Sequence, residues 1–241
     1  MADNKNYKCI VFGGNGNIGR TVIDYLLQAK KYSTITIFCR KELERWKNFN
    51  EEEKNIINII HIDSLDFLNN NNFMDIINEK LDHNIDYNTI FCCLGGRNDS
   101  EYENVDYKLI VKISIIAEKL NIAHFCVISA ENSDSKSEDT FLKYRGKMEE
   151  EISKKNIKYI SIFKSNYITH KEDPPILYWF LSLFYRCKNN SIECKKLGKA
   201  MVLKDFEVLN FLENADEESI KKKIVKCLRN EDINRLSFRK I

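Results

Sequence analysis

Residues 7–19 read Tyr-Lys-Cys-Ile-Val-Phe-Gly-Gly-Asn-Gly-Asn-Ile-Gly, an apolar run that breaks into closely spaced glycines. Tyr7 to Phe12 has the length and composition of a buried strand, and Ile18, Val22, Leu26 and Ala29 then share one face of a helix. Gly13, Gly16 and Gly19 therefore fall between a strand and a helix. That spacing supplies a tight turn, a backbone that can approach a pyrophosphate, and close packing of helix on strand. The anion would sit on the helix N-terminus, among N–H groups and the positive end of the dipole. Asn15, Asn17 and Ile18 complete the loop and first turn.

The same stretch invites a second reading. Gly14 to Gly19 followed by Arg20 and Thr21 nearly spells a phosphate loop of the NTPase kind. Arg20 stands where that loop needs lysine, and no later apolar strand ends in a metal-binding aspartate. A dinucleotide site is the better reading.

Working outward, apolar runs alternate with helical periods. Thr34 to Cys39, Ile56 to Ile62, Thr89 to Leu94, Ala123 to Ser129 and Lys158 to Phe163 read as further strands. Val105, Leu109, Ile113, Ile116 and Leu120 mark one amphipathic helix, and residues 141–155 another. Glu217 to Leu228, with Ile220, Ile224, Cys227 and Leu228 on one side, reads as a last helix whose wet face carries Lys221, Lys222 and Lys223. The expected fold is α/β, a doubly wound parallel sheet with helices on both faces and a small C-terminal cap. Residues 1–164 would form the dinucleotide-binding part, and 165–241 a cap packed on the same domain. The asparagine tract 69–72 reads as a surface loop ahead of the next helix.

The end of the second strand selects the dinucleotide. An NAD site usually places Asp or Glu there for the ribose 2′-hydroxyl, whereas this chain has Arg40 and Lys41. A guanidinium suits a 2′-phosphate, so NADP(H) is the expected cofactor. Asp63, beyond the third strand, is a candidate for the adenine edge, with helix capping as its alternative role.

Composition limits the rest. The 241 residues are 43% hydrophobic, enough for a sizeable core. Lys+Arg 38 against Asp+Glu 36 leaves a net charge of +2, which argues against nucleic acid as the main partner. The eight cysteines include five inside apolar runs (Cys9, Cys39, Cys92, Cys93 and Cys126), without metal-ligand spacing, so no metal site and a reducing compartment are expected. The histidines are scattered and read as structural. The longest apolar stretch, Ile176 to Tyr185, falls short of the ~20 residues of a membrane span, and no signal or transit peptide is visible. A soluble, cytoplasmic protein is the expectation, with peripheral attachment to an organelle surface left open. The aromatic segment 174–186 reads as a capping helix over the cleft, with a protein-partner or membrane-surface helix as the alternative.

Phe91-Cys92-Cys93-Leu94-Gly95, Val105-Asp106, Val127-Ile128-Ser129, and Arg145-Gly146 followed by Glu149 give the chain a further likeness. It resembles the Tat-interacting-protein type of atypical short-chain dehydrogenase/reductase, from the first strand to about residue 163. The resemblance implies a Rossmann domain that binds NADP(H), with Leu94 and Gly95 beside the cofactor, and relatives linked to protein partners as much as to a substrate. It also implies chemistry by Ser, Tyr and Lys on a small carbonyl. Ser129 matches the serine, but Phe141 stands at the tyrosine and Arg145 at the lysine. Phenylalanine has no proton to give, and arginine holds ribose hydroxyls without relaying a proton. Tyr144 and Lys147 lie nearby at a spacing of three rather than four, so they face another way. Lys164-Ser165-Asn166 replaces the family's Arg-Pro-Gly. The expectation is weak oxidoreductase activity at most, or a catalytically degenerate regulatory module that binds NADPH.

Overall fold

The computed structural model describes residues 6–41, 43–62, 73–82, 84–96, 98–169, 191–216, 218–219 and 222–241. The first βαβ unit is β1 (Tyr7–Phe12), α1 (Asn17–Ala29) and β2 (Tyr32–Cys39). A 3₁₀ turn at Glu44–Asn48 and α2 (Glu51–Ile56) lead to β3 (Ile57–His61), and α3 (Phe73–Lys80) precedes β4 (Thr89–Cys92). A single turn α4 (Asp99–Glu101) opens into a π-helix over Tyr102–Leu109 that continues as α5 (Ile110–Lys119). Then come β5 (His124–Ala130), α6 (Thr140–Ser153), β6 (Tyr159–Ser165), the short pair β7 (Tyr167–Thr169) and β8 (Ser191–Glu193), α7 (Cys194–Asn214), β9 (Ile224–Leu228) and α8 (Asn230–Ser237).

Among the described residues, seven strands form one sheet in the order β3-β2-β1-β4-β5-β6-β9, with every neighbouring pair parallel. Covered on both faces, the central strands are buried throughout rather than alternately, and mostly apolar. On one face Val11, Ile37 and Phe91 pack against Val22 and Leu26 of α1 and Met201 of α7. On the other, Ile10, Ile90 and Phe125 meet Ile113 of α5 and Met148 of α6. The strand order reverses between β1 and β4, which opens a crevice at their carboxyl ends.

Three expectations need correction. Ile224–Leu228 is a strand paired with β6, not the end of a helix, and Cys227 lies exposed on it. Ile-Val-Lys-Cys-Leu is short and rich in β-branched residues at its start, and the open edge of β6 offered it a ladder. Ile220 and Lys221 lie outside the described residues. The single amphipathic helix over 105–120 is a π-helix in its first part, which alters the register of Asp106. α7, 21 residues long, was not anticipated, because buried Lys204 and Asp205 interrupt its apolar stripe.

Candidate functional site

The glycine loop is built by close contact. Gly13 has φ 84°, and a Cβ there would lie 2.8 Å from the Cys93 carbonyl oxygen. A Cβ on Gly19 would lie 2.2 Å from the Gly13 carbonyl oxygen, so only glycine lets α1 start this close to β1. Gly16 differs: its Cβ would meet Gly13 O at 3.3 Å and Cys93 O at 4.0 Å and nothing nearer. Its missing side chain leaves room in the cleft rather than for the protein's own packing. No side chain caps α1, and its first turn carries no acidic residue, so the positive end of the dipole faces this space. Asn15 Nδ2 donates to the Lys41 carbonyl, and Arg20 Nε donates to the Asn15 carbonyl at 2.9 Å, tying the loop to the end of β2.

A cleft of about 240 Å³ opens above these strand ends. Of the residues expected at the cofactor, Gly13, Asn15, Gly16, Arg40, Leu94 and Gly95 line it. Asn17, Ile18 and Gly19 form the turn of α1 behind it, Lys41 is exposed beyond Arg40, and Asp63 lies outside the described residues. The sequence reading missed its apolar wall, Ile62, Leu109 and Ile113, and the Phe12–Phe38 pair, whose rings stack 4.7 Å apart. Both phenylalanines sit at strand ends beside the loop, which was the available signal.

The candidate catalytic residues all have protein partners. Ser129 Oγ donates to Glu149 Oε1 at 2.5 Å, Ser133 Oγ donates to the same oxygen, and Lys164 Nζ pairs with Oε2 at 2.9 Å. Arg145 is buried, with Nη2 2.5 Å from Asp106 Oδ1 and Nη1 donating to the Ile128 carbonyl at 2.5 Å. Asp106 Oδ2 in turn accepts from the Gly96 N–H at 2.7 Å. Burial raises the Asp106 pKa although Arg145 opposes it. Arg145 is absent from the cleft's lining, but it lies directly beneath Gly95, whose Cβ would be 3.2 Å from Nη2. Phe141 packs between Tyr102 and the Arg145 guanidinium. Tyr144 donates to Glu103 at 2.9 Å, and that hydrogen bond raises its pKa, the wrong direction for an activated acid. Lys147 Nζ sits 5.3 Å above the Tyr144 ring. Glu149 and Asp106, which now organise this half, entered the sequence reading only through the resemblance. Segment 174–186 lies outside the described residues.

At the opposite, amino-terminal end of the strands a second polar group is buried. Asp205 accepts from Tyr32 at 2.5 Å and Thr89 at 2.6 Å and meets His124 Nδ1 at 2.6 Å, and His124 Nε2 reaches Ser161 at 2.8 Å. Donor atoms of His124, Cys126 and Asp205 lie within 4.8 Å of one another, a spacing that bears on the metal expectation. Among the described residues, no helix is long and apolar enough to cross a membrane.

No family model matches the chain. Among solved structures, that of WbmH from Bordetella bronchiseptica in complex with NAD+ matches with a TM-score of 0.58 at 10% identity, covering 92% of this chain and 86% of that one. UDP-N-acetylglucosamine 4-epimerase from Bacillus cereus matches with a TM-score of 0.56 at 14% identity, covering 95% and 83%. The chain has a Rossmann-type fold, a doubly wound parallel sheet. Sequence adds to this Rossmann likeness: the rat protein HTATIP2 is 23% identical over 168 residues. The match covers 66% of this chain and 62% of that relative, less than two thirds of its length. The resemblance to the atypical short-chain dehydrogenase/reductases therefore holds.

Proposed function

We propose that this chain binds NADP(H) in the β1–β4 cleft and is at most a slow oxidoreductase acting on a small carbonyl and its alcohol. The observation that carries the reading is Arg40 on the lining of a cleft whose Gly16 leaves space for a ligand. The pyrophosphate would rest on the start of α1, the adenosine along Ile62 and Leu109, and the 2′-phosphate against Arg40, with Lys41 beyond it. Once bound, the dinucleotide supplies the hydride or accepts it. WbmH, similar in fold, was solved with NAD+, which supports a nicotinamide dinucleotide. On this reading residues 1–164 hold the cofactor, 165–241 form the substrate-side part packed on the same domain, and the protein works in the cytoplasm, where its described cysteines form no disulfide.

Titration with NADPH and NADH tests this. NADPH should bind more tightly, and Arg40→Ala should weaken NADPH by about tenfold while leaving NADH nearly unchanged, the loss of one charge-assisted contact. Equal affinity for both, unmoved by the substitution, would remove the NADP(H) assignment.

A second reading, a catalytically degenerate module that holds NADPH and acts through protein contacts, is favoured by Arg145, whose guanidinium is bound to Asp106. Phe141 strengthens it, having no proton to give. A stoichiometric partner in a pull-down, with no oxidation of NADPH by any of a broad panel of carbonyls, would favour this reading.

A further inference from the structure

The reactive half lacks the expected tyrosine, yet it contains a carboxylate in hydrogen-bonding contact with the serine. Ser129 Oγ is 2.5 Å from Glu149 Oε1, and Lys164 Nζ holds Oε2 at 2.9 Å. Ser129 and Lys164 are register partners across β5 and β6, so both point at the same face of α6. The Glu149 and Lys164 side chains are only 15% and 11% exposed, which shields the contact from bulk water. A serine hydroxyl has one hydrogen and two lone pairs. Here the hydrogen is given to Glu149, so whatever else meets Ser129 finds an acceptor. A carbonyl oxygen has no hydrogen to offer it, whereas an alcohol does.

We propose that Glu149 is a positioning residue that turns Ser129 into an acceptor for a ligand hydroxyl, so that the site takes a small alcohol and Glu149 is the final proton acceptor. This rests on the dinucleotide reading above. On oxidation the substrate C–H bond breaks and its electron pair leaves as hydride to the oxidised dinucleotide. The substrate O–H bond breaks, its proton passes to Ser129 Oγ, the serine's own proton passes to Glu149 Oε1, and the C=O bond forms. Reduction retraces the same path. Lys164 keeps the carboxylate turned toward Ser129, and no tyrosine is required.

The test uses trifluoroethanol as the alcohol probe, followed by ¹⁹F NMR in protein saturated with NADP+. Wild type should bind it saturably. Ser129→Ala and Glu149→Gln should each weaken it about tenfold, and Glu149→Asp should recover part of the loss. NADP+ affinity and the thermal midpoint should stay unchanged in Ser129→Ala, which leaves the Glu149–Lys164 pair intact. Bound NADP+ without trifluoroethanol binding, or equal binding by all variants, overturns this proposal alone. Failure of NADP+ to bind overturns the dinucleotide reading and this one with it.

Discussion

Arg145 shows at the residue scale how far one substitution reaches. Its guanidinium has exchanged the role of a lysine for a buried pair with Asp106, and its Nε has no hydrogen-bond partner among the described residues. Breaking such a pair from one side leaves a buried charge, so Arg145→Met should destabilise the fold by about 3–5 kcal/mol, while Asp106→Leu with Arg145→Met should lose much less. Urea unfolding of the three proteins measures this. The pair also has a pH signature. Burial raises the Asp106 pKa, so the folded chain binds that proton more readily than the unfolded one. Its contribution to stability therefore falls as pH rises through the raised value and is recovered below the ordinary carboxylate range. The difference in stability between wild type and the double variant should shift in that sense as pH rises out of the ordinary carboxylate range.

Among the elements, the β1–α1 turn separates two uses of glycine. Gly19→Ala places a methyl against the Gly13 carbonyl and should abolish soluble folded protein, whereas Gly16→Ala meets little of the protein and should fold but bind NADPH about tenfold more weakly. Circular dichroism with a binding titration distinguishes them. This unit was readable from sequence because strand, glycines and helix are local and each residue type has one reason to be there. Arg40 was readable because it follows the second strand, and Leu94 and Gly95 through the family resemblance. The π-helix was not, since its extra residue per turn leaves Val105, Leu109 and Ile113 looking like an ordinary stripe. Nor was β9, whose pattern satisfies both periods until β6 decides it. Glu149 was hidden for a related reason: its partners Ser129, Ser133 and Lys164 come from three other places in the chain.

The whole molecule divides its polar interior between the two ends of one sheet. The carboxyl ends hold the cleft, and the amino ends hold Asp205 with Tyr32, Thr89 and His124, which fasten α7 beneath three strands. Asp205→Ala should lower stability by about 3–5 kcal/mol, as removal of one member of a buried charged network does, yet leave dinucleotide affinity within about twofold. Chemical unfolding and a binding titration together check it; a large loss of affinity would mean that the two ends communicate. The strand order also bears on synthesis. β1, at the middle of the sheet, leaves the ribosome first, and its neighbours β2 and β4 follow, so assembly can grow outward around an early centre. Among the described strands, the last, β9, pairs with β6 alone. Nascent chains held before residue 224 should therefore already protect the central amides from exchange while the β6 edge stays open to solvent, and to other chains on the same polysome.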